Sequence, residues 1–247
     1  MNSPFEPSAT IERRAFVVTG VVQGVGFRPF VHRLAREFGL VGFVRNRAGE
    51  VELEAEGTGA ALDDFESALR HRAPPLAAIS ECESSRVPAR GEQEFSVENS
   101  TEQASAVPYI APDAAVCAEC LRELFCAEDR RFHYPFLNCT DCGPRFTIIE
   151  RAPYDRERTT MSTFVQCEAC QSEYTDPTAR RFHAEPNACP TCGPRLELLD
   201  RNGHAIAAIE PLRAIAKALK LEQIVALKGL GGFHLACLAE SERATSE

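Results

Sequence analysis

The stretch Gly20-Val21-Val22-Gln23-Gly24-Val25-Gly26-Phe27-Arg28-Pro29-Phe30 decides how the first third of this chain folds. Leading into it, Arg14 to Val22 is rich in Val, Phe and Thr and reads as a strand. Pro29 fits the first turn of a helix, where its missing N–H would have no partner anyway. Phe30, Val31, Leu34, Ala35 and Phe38 then follow at helical spacing, and Gly39 ends the helix. The glycines between strand and helix let backbone N–H groups converge at a helix N-terminus, which makes an anion nest. Arg28 adds a planar cation matched to phosphate.

Working outward, Val41 to Arg45 and Val51 to Ala55 read as a strand pair joined at Asn46-Arg47-Ala48-Gly49. Thr58 is a candidate cap for a second helix carrying Leu62, Phe65 and Leu69 on one face, and Pro74-Pro75 stops it. Ile79 to Val87 and Glu94 to Glu98 complete the strands. The order βαββαβ is the ferredoxin-like split βαβ pattern, so residues 11–99 are expected to form an α+β domain.

The 20–30 stretch resembles the signature of the acylphosphatase family, which has this fold. Gly42-Phe43-Val44-Arg45-Asn46 followed by Gly49-Glu50-Val51-Glu52 resembles that family's second motif. The resemblance implies that Arg28 and the N–H groups of Gln23, Gly24, Val25, Gly26, Phe27 and Arg28 hold the phosphoryl group of an acyl phosphate. It also implies that Asn46 orients the attacking water, with no metal required. His32, on the helix, is expected to be exposed and to have no catalytic part.

Residues 100–112 are polar, small and proline-containing and read as a linker. Residues 113–196 hold a repeat of period 50. One copy runs Cys117-x-x-Cys120, Arg131-Phe132-His133, Cys139-x-x-Cys142-Gly143-Pro144-Arg145. The other runs Cys167-x-x-Cys170, Arg181-Phe182-His183, Cys189-x-x-Cys192-Gly193-Pro194-Arg195. Eight of the eleven cysteines thus fall in C-x2-C pairs. In a reducing compartment that points to metal, and the four-sulfur spacing suits two structural Zn²⁺ ions in a zinc-ribbon-like segment. Iron–sulfur binding is the alternative. Spacing favours one ion per copy, but leaves a crosswise pairing open. His133 and His183 are read as packing or orienting residues. Cys82, Cys126 and Cys237 are read as buried or inert thiols.

From Leu198 the composition changes. Pro211 to Leu219 reads as a helix, Ile224 to Leu227 as a buried strand, and Lys228-Gly229-Leu230-Gly231-Gly232 as a glycine-rich turn followed by Phe233 and His234. Residues 197–247 are too few to fold alone and read as the truncated start of an α/β domain. A net charge of −9 opposes nucleic-acid binding, although Arg130-Arg131 and Arg180-Arg181 supply local positive charge for a competing reading as a twin zinc binding module. No run of apolar residues is long enough to cross a membrane, and the N-terminus lacks a signal-peptide core, so a cytoplasmic location is expected.

Taken in order, the acylphosphatase-like domain, the two C4 modules and the sequence KGLGGFHLAC resemble the N-terminal third of the hydrogenase maturation carbamoyltransferases, the HypF family. The resemblance implies carbamoyl phosphate as substrate. It implies an ATP-using domain, similar to threonylcarbamoyl-adenylate synthases, that starts at 197–247 with Lys228 and His234 in its turn. A further domain would pass the carbamoyl group to a cysteine of a partner protein, on the way to the cyanide ligands of [NiFe] hydrogenase. On this reading the chain itself can perform only acyl-phosphate hydrolysis and carry the zinc scaffold.

Overall fold

The structure is a computed structural model that describes residues 10–47, 49–101, 113–207, 210–229 and 232–246. Most of the expected linker, and Leu230 and Gly231 of the glycine-rich turn, lie outside the described residues. Two compact units emerge, Met1–Gly193 and Pro194–Glu247.

The first unit begins with strand β1 (Ile11–Val21), helix α1 (Phe27–Glu37), strands β2 (Val41–Arg47) and β3 (Glu50–Thr58), helix α2 (Gly59–His71), and strands β4 (Ala78–Val87) and β5 (Phe95–Val97). The sheet order is β4-β1-β3-β2-β5, antiparallel except for β2 against β5. Alternation fixes the faces. Val51, Leu53 and Ala55 of β3 are fully buried, as are Phe16 and Val18 of β1, and they pack with Leu34, Leu62, Phe65 and Leu69 of the two helices. Phe16 meets Phe65 edge-on, with centroids 5.8 Å apart. Thr58 caps α2 by accepting from the Ala61 N–H at 3.2 Å. On the opposite face Arg13, 1% exposed, donates to Glu54, Glu56 and Glu92.

The repeat region builds each copy on the same plan. Helix α3 (Ala118–Phe125) starts directly after Cys117, and α4 (Glu168–Thr175) directly after Cys167. Each first C-x2-C pair therefore straddles a helix N-terminus, where the macrodipole favours thiolate. Each second pair closes a tight turn, with Cys142 N–H donating to the Cys139 carbonyl and Cys192 N–H to that of Cys189. Between the pairs the chain reverses at His133 and His183, at φ 56° and 50°. Their N–H groups donate to the carbonyls of Leu124 and Tyr174 at 2.9 and 3.0 Å.

The second unit holds helix α5 (Pro211–Lys220), a hairpin of β6 (Val225–Lys228) and β7 (Phe233–Ala236), and α6 (Glu242–Ser246). The strand expected to be buried is instead exposed along Ala226 and Leu227. Among the described residues, a two-stranded hairpin with the short helices α5 and α6 supplies no full second layer to cover it. Lys228 lies 5.4 Å from the Phe233 ring, and both it and His234 are exposed.

Candidate functional site

Gly24 and Gly26 adopt φ of +72° and +74° and turn the chain from β1 into α1. They also make room. A Cβ on Gly24 would stand 2.8 Å from Pro144, and one on Gly26 3.1 Å from Thr140, so the first repeat copy lies directly on this loop. Gly26 caps α1 without a side chain, which leaves the first-turn N–H groups without intrahelical acceptors. The Gln23 side chain donates to the carbonyls of Arg47 and Glu50 at 3.2 and 3.0 Å, tying the loop to the β2–β3 turn.

Arg28 is buried, and its guanidinium is nearly saturated. It donates to Asp155 at 2.9 Å, to Glu185 at 2.8 Å and to the Tyr154 carbonyl at 3.2 Å. Asn46, 1% exposed, sets one end of its side-chain amide 3.2 and 3.3 Å from the Arg28 Nη2 and Nε, and because the guanidinium can only donate, that end is assigned as Oδ1. The two positions singled out by sequence thus meet, and residues more than 100 positions away complete the cluster. Burial works to lower the Arg28 pKa, but the Glu185 and Asp155 charges outweigh it and hold the group above its ordinary value. Burial raises the Glu185 pKa against the pull of Arg28. Glu185 also accepts from the Tyr174 hydroxyl and the Arg156 N–H, each at 2.8 Å. Burial, then the Arg28 charge, push His183 down to about 3.

A cavity of about 20 Å³ lies between Gly24, Gly26, Arg28 and Asn46 on one side and Asn138, Thr140, Tyr154, His183 and Glu185 on the other. Arg28 and His183 also line a groove of about 380 Å³ shared with Ser100, Asp155, Phe164 and Tyr174. His32 is not exposed as the sequence suggested. It is 5% exposed, with its ring 6.2 Å from Phe95 and 5.2 Å from Phe182, because the second repeat copy covers that face of α1. Asp155, Glu185, Asn138 and Tyr154 carry no motif and were missed. The one signal for Glu185 is that the copies part there, with Pro135 fifty residues earlier.

The cysteines group within copies: Cys117, Cys120, Cys139 and Cys142, then Cys167, Cys170, Cys189 and Cys192. Sulfur separations run 3.6 and 3.8 Å in the first cluster and 3.6 to 3.8 Å in the second. A tetrahedron with Zn–S bonds of about 2.3 Å has edges of about 3.8 Å, so both donor sets fit Zn²⁺. The clusters are strapped reciprocally. Arg130 donates to Cys170 Sγ at 3.4 Å, while Arg180 donates to Cys120 Sγ at 3.3 Å. Arg131 bonds Glu173 and the Ala188 carbonyl, and Arg181 bonds Glu123 and the Asn138 carbonyl. The local positive charge that favoured nucleic acid is therefore turned inward and neutralised. Of the remaining thiols Cys82 is buried, Cys126 half-buried, and Cys237 exposed rather than buried. Among the described residues no helix is long and apolar enough to cross a membrane.

The acylphosphatase family model matches residues 14–97, and the HypF finger model matches 116–149 and 167–199. The carbamoyltransferase HypF2 of Cupriavidus necator is 50% identical over 231 residues, 93% of this chain and 29% of its own length. An acylphosphatase of Synechococcus is 42% identical over 93 residues, 37% of this chain and 92% of its own length. The crystal structure of full-length HypF in its phosphate- and nucleotide-bound form superposes with a TM-score of 0.89 at 42% identity, covering 96% of this chain and 31% of that one. The chain thus spans under a third of the length of its HypF relatives. With an acylphosphatase domain joined to two HypF fingers, it belongs to the HypF family.

Proposed function

We propose that the Arg28–Asn46 site hydrolyses an acyl phosphate, carbamoyl phosphate in the first place. The observation that carries this reading is the meeting of Arg28 and Asn46 at the glycine-lined N-terminus of α1, with the Asn46 Oδ1 3.2 to 3.3 Å from the guanidinium. The phosphoryl oxygens would take the N–H groups of residues 23–28 and one edge of Arg28, exchanging one anion for another as the Asp155 contact is given up. Asn46 keeps its Oδ1 on Arg28, which turns its NH₂ away to orient a water. That water adds to phosphorus, the bridging P–O bond breaks, and carbamate leaves with the bond electrons beside inorganic phosphate. An acyl phosphate is reactive enough for positioning and charge stabilisation to suffice.

The eight cysteines would hold two Zn²⁺ ions, closed four-sulfur sites whose part is to fix the fold. We assign 11–99 to the hydrolytic domain, 100–112 to a linker, 113–196 to the fingers and 197–247 to the start of an ATP-using domain. The whole protein would carry the carbamoyl group through an adenylate to a partner-protein cysteine, in the maturation of [NiFe] hydrogenase. The test is phosphate release from carbamoyl phosphate by residues 1–247, corrected for spontaneous decay. Arg28→Ala and Asn46→Ala should each lower kcat/KM at least 100-fold with zinc content retained. Equal release by wild type and variants would refute the assignment.

A further inference from the structure

We propose that Asn138 and Tyr154, both from the finger region, recognise the carbamoyl group itself and select carbamoyl phosphate over acetyl phosphate. The inference rests on the reading of the Arg28 site as an acyl-phosphate site, and names the part of that site that reads the acyl end.

Asn138 is 3% exposed, yet neither its Oδ1 nor its Nδ2 has a hydrogen-bond partner among the described residues. The Tyr154 hydroxyl, on a residue 5% exposed, faces the Arg145 N–H but has no acceptor for its own proton among the described residues. Both residues line the cavity that holds Arg28 and Asn46. Arg28, Glu185 and Thr140 on the same walls are all paired. Burial strips water from a polar group, and a protein seldom leaves both halves of an amide without replacement. Two such residues on one cavity wall point to a ligand that supplies the missing partners.

The repeat removes the plainest alternative, that the module's own frame needs Asn138. Fifty residues later the second copy has Ala188, 1% exposed, in the equivalent place. Each backbone carbonyl accepts from the opposing arginine, Asn138 from Arg181 at 2.8 Å and Ala188 from Arg131 at 2.9 Å. A methyl group therefore serves the frame, and the amide at 138 is extra to it.

The chemistry identifies the ligand class. A carbamoyl group carries an NH₂ donor beside a carbonyl acceptor, and a primary amide is its complement: Oδ1 accepts from the NH₂ while Nδ2 donates to the carbonyl. The Tyr154 hydroxyl, with its proton unplaced, can donate to the same carbonyl. Acetyl phosphate keeps the carbonyl but puts a methyl where the NH₂ would be, so Oδ1 stays unpaired. A site built to hydrogen-bond a substrate N–H rejects the analogue lacking it far more strongly than an apolar pocket separates isosteres. The cavity of about 20 Å³ is smaller than an acyl phosphate, so binding must also shift the Arg28 partners.

The experiment compares two unreactive phosphonates, phosphonoacetamide and acetonylphosphonate, which differ as carbamoyl and acetyl phosphate do. Their dissociation constants are measured by calorimetry on zinc-loaded residues 1–247. Wild type is expected to bind phosphonoacetamide at least tenfold more tightly. Asn138→Ala, which copies the residue of the second module, should bring the ratio to about one, chiefly by weakening phosphonoacetamide. Tyr154→Phe should reduce it about threefold. Equal affinities in wild type, no binding of either probe, a preference that survives Asn138→Ala, or a parallel loss of both probes would each overturn the proposal. Hydrolysis fails separately: phosphate release from carbamoyl and acetyl phosphate with equal kcat/KM leaves the acyl-phosphate site standing and removes its selectivity.

Discussion

The two finger copies share a frame and differ in what they turn toward the Arg28 loop. Cys120 and Cys170, Glu123 and Glu173, and the paired arginines 130–131 and 180–181 recur at a spacing of 50 and make the same bonds in both directions. Outside that frame the copies part. Phe132 and His133 are exposed and stacked on each other, with centroids 3.8 Å apart. Their counterparts Phe182 and His183 lie against His32 and the Arg28 cluster, and Glu185 replaces Pro135. The first copy contributes instead Asn138, Thr140 and Pro144. The frame is thus held by symmetry, while the site combines shared residues in unequal surroundings, Phe182, His183 and Pro144, with positions where the copies differ, Glu185, Asn138 and Thr140.

The largest expected effect would break the idea of a shared frame. Cys170→Ser should cost more than its own zinc, because Arg130 and Arg131 lose the charge they strap, and a structural zinc site is worth about 10 kcal/mol or more. Metal analysis should find well under one zinc per chain, and the same for Cys120→Ser. One full equivalent retained by either variant would mean that the copies fold independently. Next in size, Arg131→Ala and Arg181→Ala should destabilise the first unit about equally, by roughly 2 kcal/mol each, since each orphans a buried carbonyl of the other copy, at Ala188 or Asn138, and leaves Glu173 or Glu123 with only Arg130 or Arg180. Denaturant midpoints that differ by the equivalent of 2 kcal/mol would show that the straps are not equivalent.

The smallest effect separates the two histidines. An unfolded histidine titrates near 6.5, whereas burial pushes His183 down to about 3. Between those values the unfolded chain binds a proton that the folded chain refuses, so stability falls as pH drops from about 6.5, by less than about 1.4 kcal/mol per pH unit. His183→Asn, which tolerates the positive φ, should flatten the stability curve between pH 6.5 and 5 relative to His133→Asn. Superimposable curves for the two variants would remove His183 from the balance.

What sequence reveals follows the range of the interactions. The strands and helices of 11–99 are legible because period-two and period-3.6 patterns are local, and Thr58 caps α2 where its position suggested. Arg28 and Asn46 are legible because the loop needs glycine at fixed positions beside them. The burial of His32 is not, since the residue that covers it, Phe182, is 150 positions away. Asp155 and Glu185 escape for the same reason: an acidic residue on a turn reads as solvated until a distant guanidinium is brought to it. The straps were half legible. The arginine pairs read as positive charge, but Glu123 and Glu173 recur at the same spacing and already hint at where that charge is spent.

Reciprocal bonding of equivalent residues is the contact pattern of a two-fold homodimer. In a true homodimer every substitution arrives twice, so a carboxylate placed to meet Arg28 would also appear on the opposite face, buried with nothing to meet. Joining the two halves in one chain lifts that constraint. Each face can be altered alone while the shared frame stays intact, and an amide at 138 can stand opposite a methyl at 188 without cost to either.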